Sequence, residues 1–200
     1  TFENKTTLYV RGEEYSSFDS TDTGTVIGAY FAPHKTLLIN AEYYHNNNQA
    51  NFRPNEQVSI NADFTYNATW QPVLGFRTST YSIAEGGEDT VNTITPGLRV
   101  NYNNASVEYR HARSENIDNT TTTTNTFKVS LYFDGISPYL VYTNGEEGVP
   151  PLAPAEISVI GTGAVFKLND SLGLRIDLSH ENRKDTYIHN VLGAGLSVYF

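Results

Sequence analysis

Basic and acidic side chains recur along this chain. What they can bind depends on which of them lie on the same face of a strand. The basic set is Arg11, Arg77, Arg99, Arg110, Lys128, Lys167 and Arg175, and the acidic set is Glu13, Glu42, Asp63, Glu108 and Asp177. A guanidinium group presents parallel N–H donors that match both oxygens of a carboxylate, so a row of arginines suits the binding of acidic solutes. The same cations can instead pair with the acidic set across neighbouring strands. From the residues alone, both interpretations stay open.

These residues fall in segments that alternate between apolar and polar positions, which is the pattern of a strand with two different faces. The alternation recurs along the whole chain. We predict strands at residues 5–15, 24–33, 35–46, 57–67, 70–82, 91–103, 104–114, 125–134, 136–144, 156–168, 171–182 and 187–200. The abundance of aromatic residues, with 14 Tyr and 10 Phe, is also typical of an all-β protein.

Both charged sets lie on the face opposite the apolar one. A dry core would hold so many charges only at a large cost in free energy. The pattern therefore favours an apolar outer surface in lipid and a wet, charged interior. Strands can cross a bilayer in about 10 residues with only half of them apolar, whereas no apolar run here approaches the roughly 18 residues of a membrane helix.

The predicted connections alternate in length, as they do in outer-membrane barrels. Short turns are predicted at residues 33–35, 67–69, 103–104, 134–135 and 169–170, and longer polar loops near 16–23, 47–56, 83–90, 115–124, 145–155 and 183–186. The low-complexity stretch Asn119–Thr124 is expected in a loop. We predict a single all-β domain over residues 1–200, a transmembrane antiparallel up-and-down β-barrel of about 12 strands. A soluble β-sandwich or lectin is the weaker alternative.

The last predicted strand is the clearest example of the pattern. Its apolar positions are Leu192, Ala194, Leu196, Val198 and Phe200, with small or polar residues between them. It resembles the final strand of outer-membrane barrels, whose terminal aromatic residue serves as an assembly signal, so the barrel-assembly machinery is an expected partner. Aromatic residues beside the short turns, among them Tyr66, Trp70 and Tyr102, are expected to form an interfacial girdle.

Composition excludes several classes of function. A formal net charge of −9 argues against nucleic-acid binding. The absence of cysteine rules out disulfides and cysteine-based metal sites, and no Walker, Rossmann or zinc motif is present. We expect no cofactor, no metal and no catalytic residue. A chain without methionine, even at position 1, is expected to be a processed mature chain or a trimmed piece.

The chain resembles the small monomeric 12-stranded porins of the KdgM type, which take up oligogalacturonate and sialic acid. The motifs that carry the resemblance are Leu8-Tyr9-Val10-Arg11-Gly12-Glu13-Glu14-Tyr15, Pro96-Gly97-Leu98-Arg99-Val100-Asn101-Tyr102, Val107-Glu108-Tyr109-Arg110-His111-Ala112-Arg113 and the terminal strand ending at Phe200. The resemblance implies a monomeric passive channel in the bacterial outer membrane, with basic residues lining the lumen. Arg11, Arg99 and Arg110 match the family's pattern best, and the other basic residues are inferred only from their face. The acidic surplus departs from it.

The expected function is therefore passive diffusion of small hydrophilic solutes, with acidic oligosaccharides as one candidate class. A structural or adhesive barrel with a closed lumen is an alternative, and a salt-bridged interior would support it. A lipid hydrolase is a weaker one, resting on His111 and His180 on the outer face. Outer-membrane lipids and lipopolysaccharide are expected partners, since acidic loops either bind bridging divalent cations or only stay solvated.

Overall fold

The computed structural model describes residues 6–17, 20–46, 53–82, 87–116, 120–149 and 152–200. They form twelve strands. In chain order these are β1 (Thr6–Ser17), β2 (Ser20–His34), β3 (Leu37–Asn46), β4 (Glu56–Phe64), β5 (Trp70–Ser82), β6 (Glu88–Tyr102), β7 (Ala105–Glu115), β8 (Thr121–Leu131), β9 (Ile136–Val149), β10 (Leu152–Lys167), β11 (Leu172–Arg183) and β12 (Tyr187–Tyr199). No helix in this part of the chain is long and apolar enough to cross a membrane.

Each strand pairs antiparallel with its neighbour in sequence, and β12 returns to pair with β1. The closing ladder runs from Thr7 opposite Tyr199 to Ser16 opposite Asn190. Closure leaves no unpaired strand edge, which is the condition for a sheet to sit in lipid. The prediction of an all-β, up-and-down antiparallel barrel of about 12 strands is confirmed.

The two ends of the barrel differ in their connections. The turn end carries residues 35–36, 65–69, 103–104, 132–135 and 168–171, together with the first and last strand ends. Local chemistry sets these turns: Asn67 Oδ1 accepts the amides of Thr69 and Trp70 at 2.9 and 2.8 Å. Asn103 adopts a positive φ of 51°, which asparagine tolerates. The opposite end, the loop end, carries the other connections.

At the loop end several strands are longer than predicted. β1 and β2 are separated only by residues 18–19, and β9 and β10 only by 150–151, where loops at 16–23 and 145–155 were expected. Placing Thr121–Thr124 in a loop was wrong, because they begin β8 and pair with β7. Asn119 lies outside the described residues. Both faces of the strand are polar here, so apolar and polar residues no longer alternate. Threonine nevertheless favours strands, and the backbone hydrogen bonds between strands continue.

The outer and inner faces divide as the alternation predicted. Large apolar side chains are exposed all around the outside, and Ile27, Ile94 and Leu178 are at least half exposed. A continuous apolar surface of this kind marks contact with lipid rather than water. The predicted girdle residues Tyr66, Trp70 and Tyr102 are also exposed at the turn end.

Candidate functional site: the charged lumen

The inner face of the barrel collects nearly all the residues that the sequence singled out. The strand faces place inside Arg11, Glu13, Glu42, Asp63, Arg77, Arg99, Glu108, Arg110, Lys128, Arg175 and Asp177. Lys167 has the inward parity but closes β10 beside a turn. Its side chain is 55% exposed and its Nζ lies 2.6 Å from Asp170 Oδ1. Lys167 therefore lies at the rim of the lumen.

One network of charges joins β4, β6 and β7. Arg99 donates through Nη1 to Asp63 at 2.8 Å and through Nε to Glu108 at 2.7 Å. Arg110 donates through Nε to the other oxygen of Glu108 at 2.5 Å, and through Nη1 to Asn61 at 2.8 Å. Glu108 is thus held by two guanidinium groups. We call this set the β4–β7 network.

A second network lies on the opposite wall and includes tyrosines. Arg175 donates to Asp177 at 2.7 Å and to the Tyr139 hydroxyl at 2.9 Å, and that hydroxyl in turn donates to Asp177. Lys128 Nζ lies 4.5 Å from the centre of the Tyr139 ring. Charged and aromatic groups here support one another through charge-assisted hydrogen bonds and a cation–π contact.

β1 adds a further ion pair to that wall. Arg11 Nε donates to Glu13 at 2.6 Å, and the Tyr15 hydroxyl donates to the same carboxylate. Tyr9 donates to Glu42 at 2.5 Å across the strands. Alternation puts Tyr9, Arg11, Glu13 and Tyr15 on one face of β1. Sequence reasoning missed the two tyrosines, although their parity with Arg11 was a readable signal.

These contacts favour the ion-pair interpretation of the arginines. Arg11, Arg99, Arg110 and Arg175 each have a carboxylate partner. Pairing across strands was expected, but only Arg99 pairs in that way, because the other three pairs join residues two apart on one strand, Arg11–Glu13, Arg110–Glu108 and Arg175–Asp177. Five basic side chains lie inside around the middle of the barrel: Arg11, Arg99, Arg110, Arg175 and Lys128. Their formal charges balance those of the five residues in the acidic set. Lys128 is the fifth, and it has a tyrosine ring as its contact. An acidic solute would have to compete with built-in carboxylates.

Closer to the loop end, two ion pairs reach across the lumen. Arg53, which precedes β4, contacts Glu181 of β11 at 3.3 Å, and its guanidinium carbon lies 4.1 Å from the centre of the Tyr15 ring. Arg77 of β5 contacts Glu147 of β9 at 3.7 Å. Burial alone would lower the pKa of Arg53, but the carboxylate of Glu181 raises it above its usual range. Arg53 is therefore charged at every physiological pH.

Two polar cavities border the arginines of these ion pairs. One has a volume of about 410 Å³ and is bordered by Arg77, Arg110, Glu147 and a wall of threonines that includes Thr126 and Thr143. The other, of about 180 Å³, is bordered by Arg11, Glu13, Tyr15 and Tyr44. Glu42, Arg53, Gln57 and Arg77 line both. The interior thus keeps water-accessible space around Arg53.

Sequence reasoning did not find Arg53, Glu147 or Arg183 as lumen residues. Arg53 and Glu147 fall within predicted loops, where strand alternation gives no face. Arg183 is buried and donates to the backbone carbonyl of Glu147 at 2.8 Å. Only a three-dimensional arrangement brings these residues together, because they come from separate parts of the chain.

The outer face carries both histidines that the hydrolase alternative invoked. His111 Nδ1 lies 3.0 Å from Asn125 Oδ1, its partner in register on β8. His180 Nδ1 lies 2.9 Å from Asn190 Oδ1, and Ser16 pairs in register with Asn190 on the far side of it. A nucleophilic serine must lie within hydrogen-bond reach of the histidine. Here Asn190 lies between Ser16 and His180, so these residues do not form a nucleophilic site. Among the described residues, no cluster of His, Asp and Glu is placed to hold a metal ion.

Twelve antiparallel strands closed in chain order, with an apolar outside and a charged inside, define the outer-membrane β-barrel fold. No protein-family model matches the chain, and no curated protein matches its sequence. Solved structures match in fold. The KdgM porin in complex with disordered oligogalacturonate has a TM-score of 0.63 and 14% identity, over 97% of this chain and 99% of that one.

Two more barrels extend this finding. The NanC porin has a TM-score of 0.67 at 13% identity, covering 96% of this chain and 98% of its own. An outer-membrane channel from Pseudomonas putida F1 has a TM-score of 0.70 at 10% identity, covering 100% and 97%. Identities this low establish a common fold. The chain therefore has the barrel fold of the KdgM-type porins that its motifs resemble.

Proposed function

We propose that this protein is a passive channel of the bacterial outer membrane for small hydrophilic solutes. The observation that carries the proposal is a closed twelve-stranded barrel with an apolar exterior and polar cavities inside. A barrel of this size stands between filled eight-stranded barrels and wide porins. Its similarity in fold to two porins and a channel supports the same role. The proposal involves no enzymatic step.

The solutes we propose are neutral or mixed in charge. One similar barrel was solved with oligogalacturonate, which makes acidic oligosaccharides a second candidate class. In this chain, however, Arg99 and Arg110 are already bound to Glu108. An anionic solute gains little where each guanidinium group already has a carboxylate partner.

Solute uptake by proteoliposomes tests this proposal. Vesicles that contain the purified chain should swell in isotonic solutions of small sugars and amino acids, at rates that fall with solute size. Acidic sugars of similar size should enter no faster than neutral ones. Swelling no faster than that of protein-free vesicles would contradict the channel.

A second candidate function is a structural or adhesive barrel with a closed lumen. The ion pairs Arg53–Glu181 and Arg77–Glu147 favour it, because they join opposite walls of the barrel. In the swelling experiment this candidate gives correctly folded, inserted protein without uptake of any solute. The two candidates thus make opposite predictions for one measurement.

The partners follow from the location. We propose that lipid and lipopolysaccharide surround the apolar outer face, that β12 is presented to the barrel-assembly machinery, and that the chain acts as a monomer. Closure of the barrel within one chain supports the last point, because no strand edge is left for a second copy.

A further inference from the structure

We infer that the two cross-lumen ion pairs, Arg53–Glu181 and Arg77–Glu147, form the size filter of the channel; this inference rests on the proposed function. Neither pair belongs to the charge networks around mid-lumen. Both lie nearer the loop end, and Arg53 and Arg77 line both cavities.

The order of strands shows that these pairs cross the lumen. Arg77 is on β5 and Glu147 on β9, with β6, β7 and β8 between them along the wall. Arg53 follows β3, and Glu181 is on β11, with β2, β1 and β12 between. A contact of 3.3 to 3.7 Å between elements so far apart in the sheet can form only through the interior.

Both pairs lie among further contacts. Glu181 accepts a hydrogen bond from the Tyr187 hydroxyl at 3.1 Å, and the backbone carbonyl of Glu147 accepts one from Arg183 at 2.8 Å. Arg53 stacks over the Tyr15 ring. The side chains of Arg53 and Glu181 therefore stay across the opening rather than folding back to the wall, because leaving would break the ion pair and a second contact together.

The consequence is a filter whose width depends on side chains rather than on the backbone. Arg53 borders both cavities, of about 410 and 180 Å³. Removing its guanidinium group should enlarge the space that they share. Because each pair is formally neutral, the filter selects by size far more than by charge. Small hydrophilic non-electrolytes are therefore the solutes that it passes best.

Single-channel recording of variants in planar bilayers tests the filter. Arg53→Ala and Arg77→Ala should each raise the unitary conductance about twofold and admit larger polyethylene glycols than the wild type does. Glu181→Gln removes the same ion pair with a nearly isosteric side chain and should have the same direction of effect. Because both changes act on one contact, Arg53→Ala combined with Glu181→Gln should add little to Arg53→Ala alone.

Lys184→Ala is the matched control. It also removes one positive charge at the loop end, but Lys184 pairs with Glu156 and both side chains are exposed. Its conductance and polymer cut-off should equal those of the wild type. If Arg53→Ala and Glu181→Gln conduct as the wild type does, the filter is overturned while the channel stands. If the wild type is silent and Arg53→Ala conducts, the filter is supported and the open channel is overturned. Silence in all variants overturns both.

Discussion

Arg99 is the residue that best shows how the lumen is built. It lies between the carboxylates of Asp63 and Glu108, at 2.8 and 2.7 Å, and is largely shielded from water. In such a setting a charge is tolerated because its partners compensate it. The arginines of this barrel are thus structural and electrostatic at once. Arg99 links β6 to β4 and β7, and Arg110 links β7 to β4. Both balance the acidic groups around them.

Replacing Arg99 should change ion selectivity. Arg99→Ala removes one positive charge and leaves Asp63 with no arginine contact and Glu108 with Arg110 alone, so the lumen becomes more attractive to cations. The reversal potential across a salt gradient should shift toward the Nernst potential of the cation. Arg99→Lys keeps the charge and should shift it much less, and Glu108→Gln should shift it the opposite way. Identical reversal potentials for Arg99→Ala and the wild type would contradict this account of the network.

The inward orientation of Arg99 could be predicted from sequence, whereas its partners could not. Alternation places Arg99 and Glu108 on inner faces of β6 and β7, but a cation on a face may meet water, a solute or a carboxylate. Register decides the outcome, and register depends on turn lengths that are read only to within a few residues. Arg53 lies between strands, where no periodicity assigns a side chain to the lumen.

At the scale of the strand, glycines facing large side chains shape the wall. Tyr9 on β1 pairs in register with Gly28 on β2, and a Cβ at Gly28 would collide with the tyrosine ring. This space lets the Tyr9 hydroxyl donate to Glu42 and accept from Asn40 at 2.5 and 2.8 Å. A missing side chain on one strand thus positions a hydrogen-bonded group on the next.

Gly28→Val should therefore destabilise the barrel. The added side chain displaces Tyr9 and its hydrogen bonds, at a cost of about 1–3 kcal/mol in the free energy of unfolding. The temperature at which folded barrel converts to the unfolded band in gel electrophoresis should fall. Gly12→Val is the control, because Gly12 faces outward with nothing within 4 Å of its Cβ position. Equal effects of the two substitutions would refute the role of Gly28.

The strand boundaries show where alternation in the sequence no longer predicts the structure. The alternation of β12 from Leu192 onward is read without ambiguity because one face is apolar throughout. Thr121–Thr124 escaped the same reasoning, since a run of one polar residue type has no period, although it pairs with β7 as regularly as any strand. The membrane selects apolar residues on a strand's outer face only within its own thickness.

For the whole molecule, the separation of an apolar outer face from a charged inner face explains the fold and the proposed role. The closed sheet satisfies every strand edge, the outer face is apolar, and the charged side chains of the described membrane region lie inside, most of them in ion pairs. This architecture could be predicted from alternation alone, because lipid imposes one rule on every strand. The width of the lumen could not, because it depends on side chains such as Arg53 that bridge distant walls.

The central claim is that solutes pass through this charged interior, and single-channel recording of the wild-type protein tests it most directly. Purified chain inserted into a planar lipid bilayer should produce discrete, uniform current steps that are proportional to voltage. The steps should be smaller than those of wide porins, because the cross-lumen pairs narrow the path. Repeated insertion of folded barrel without any current step would contradict the claim.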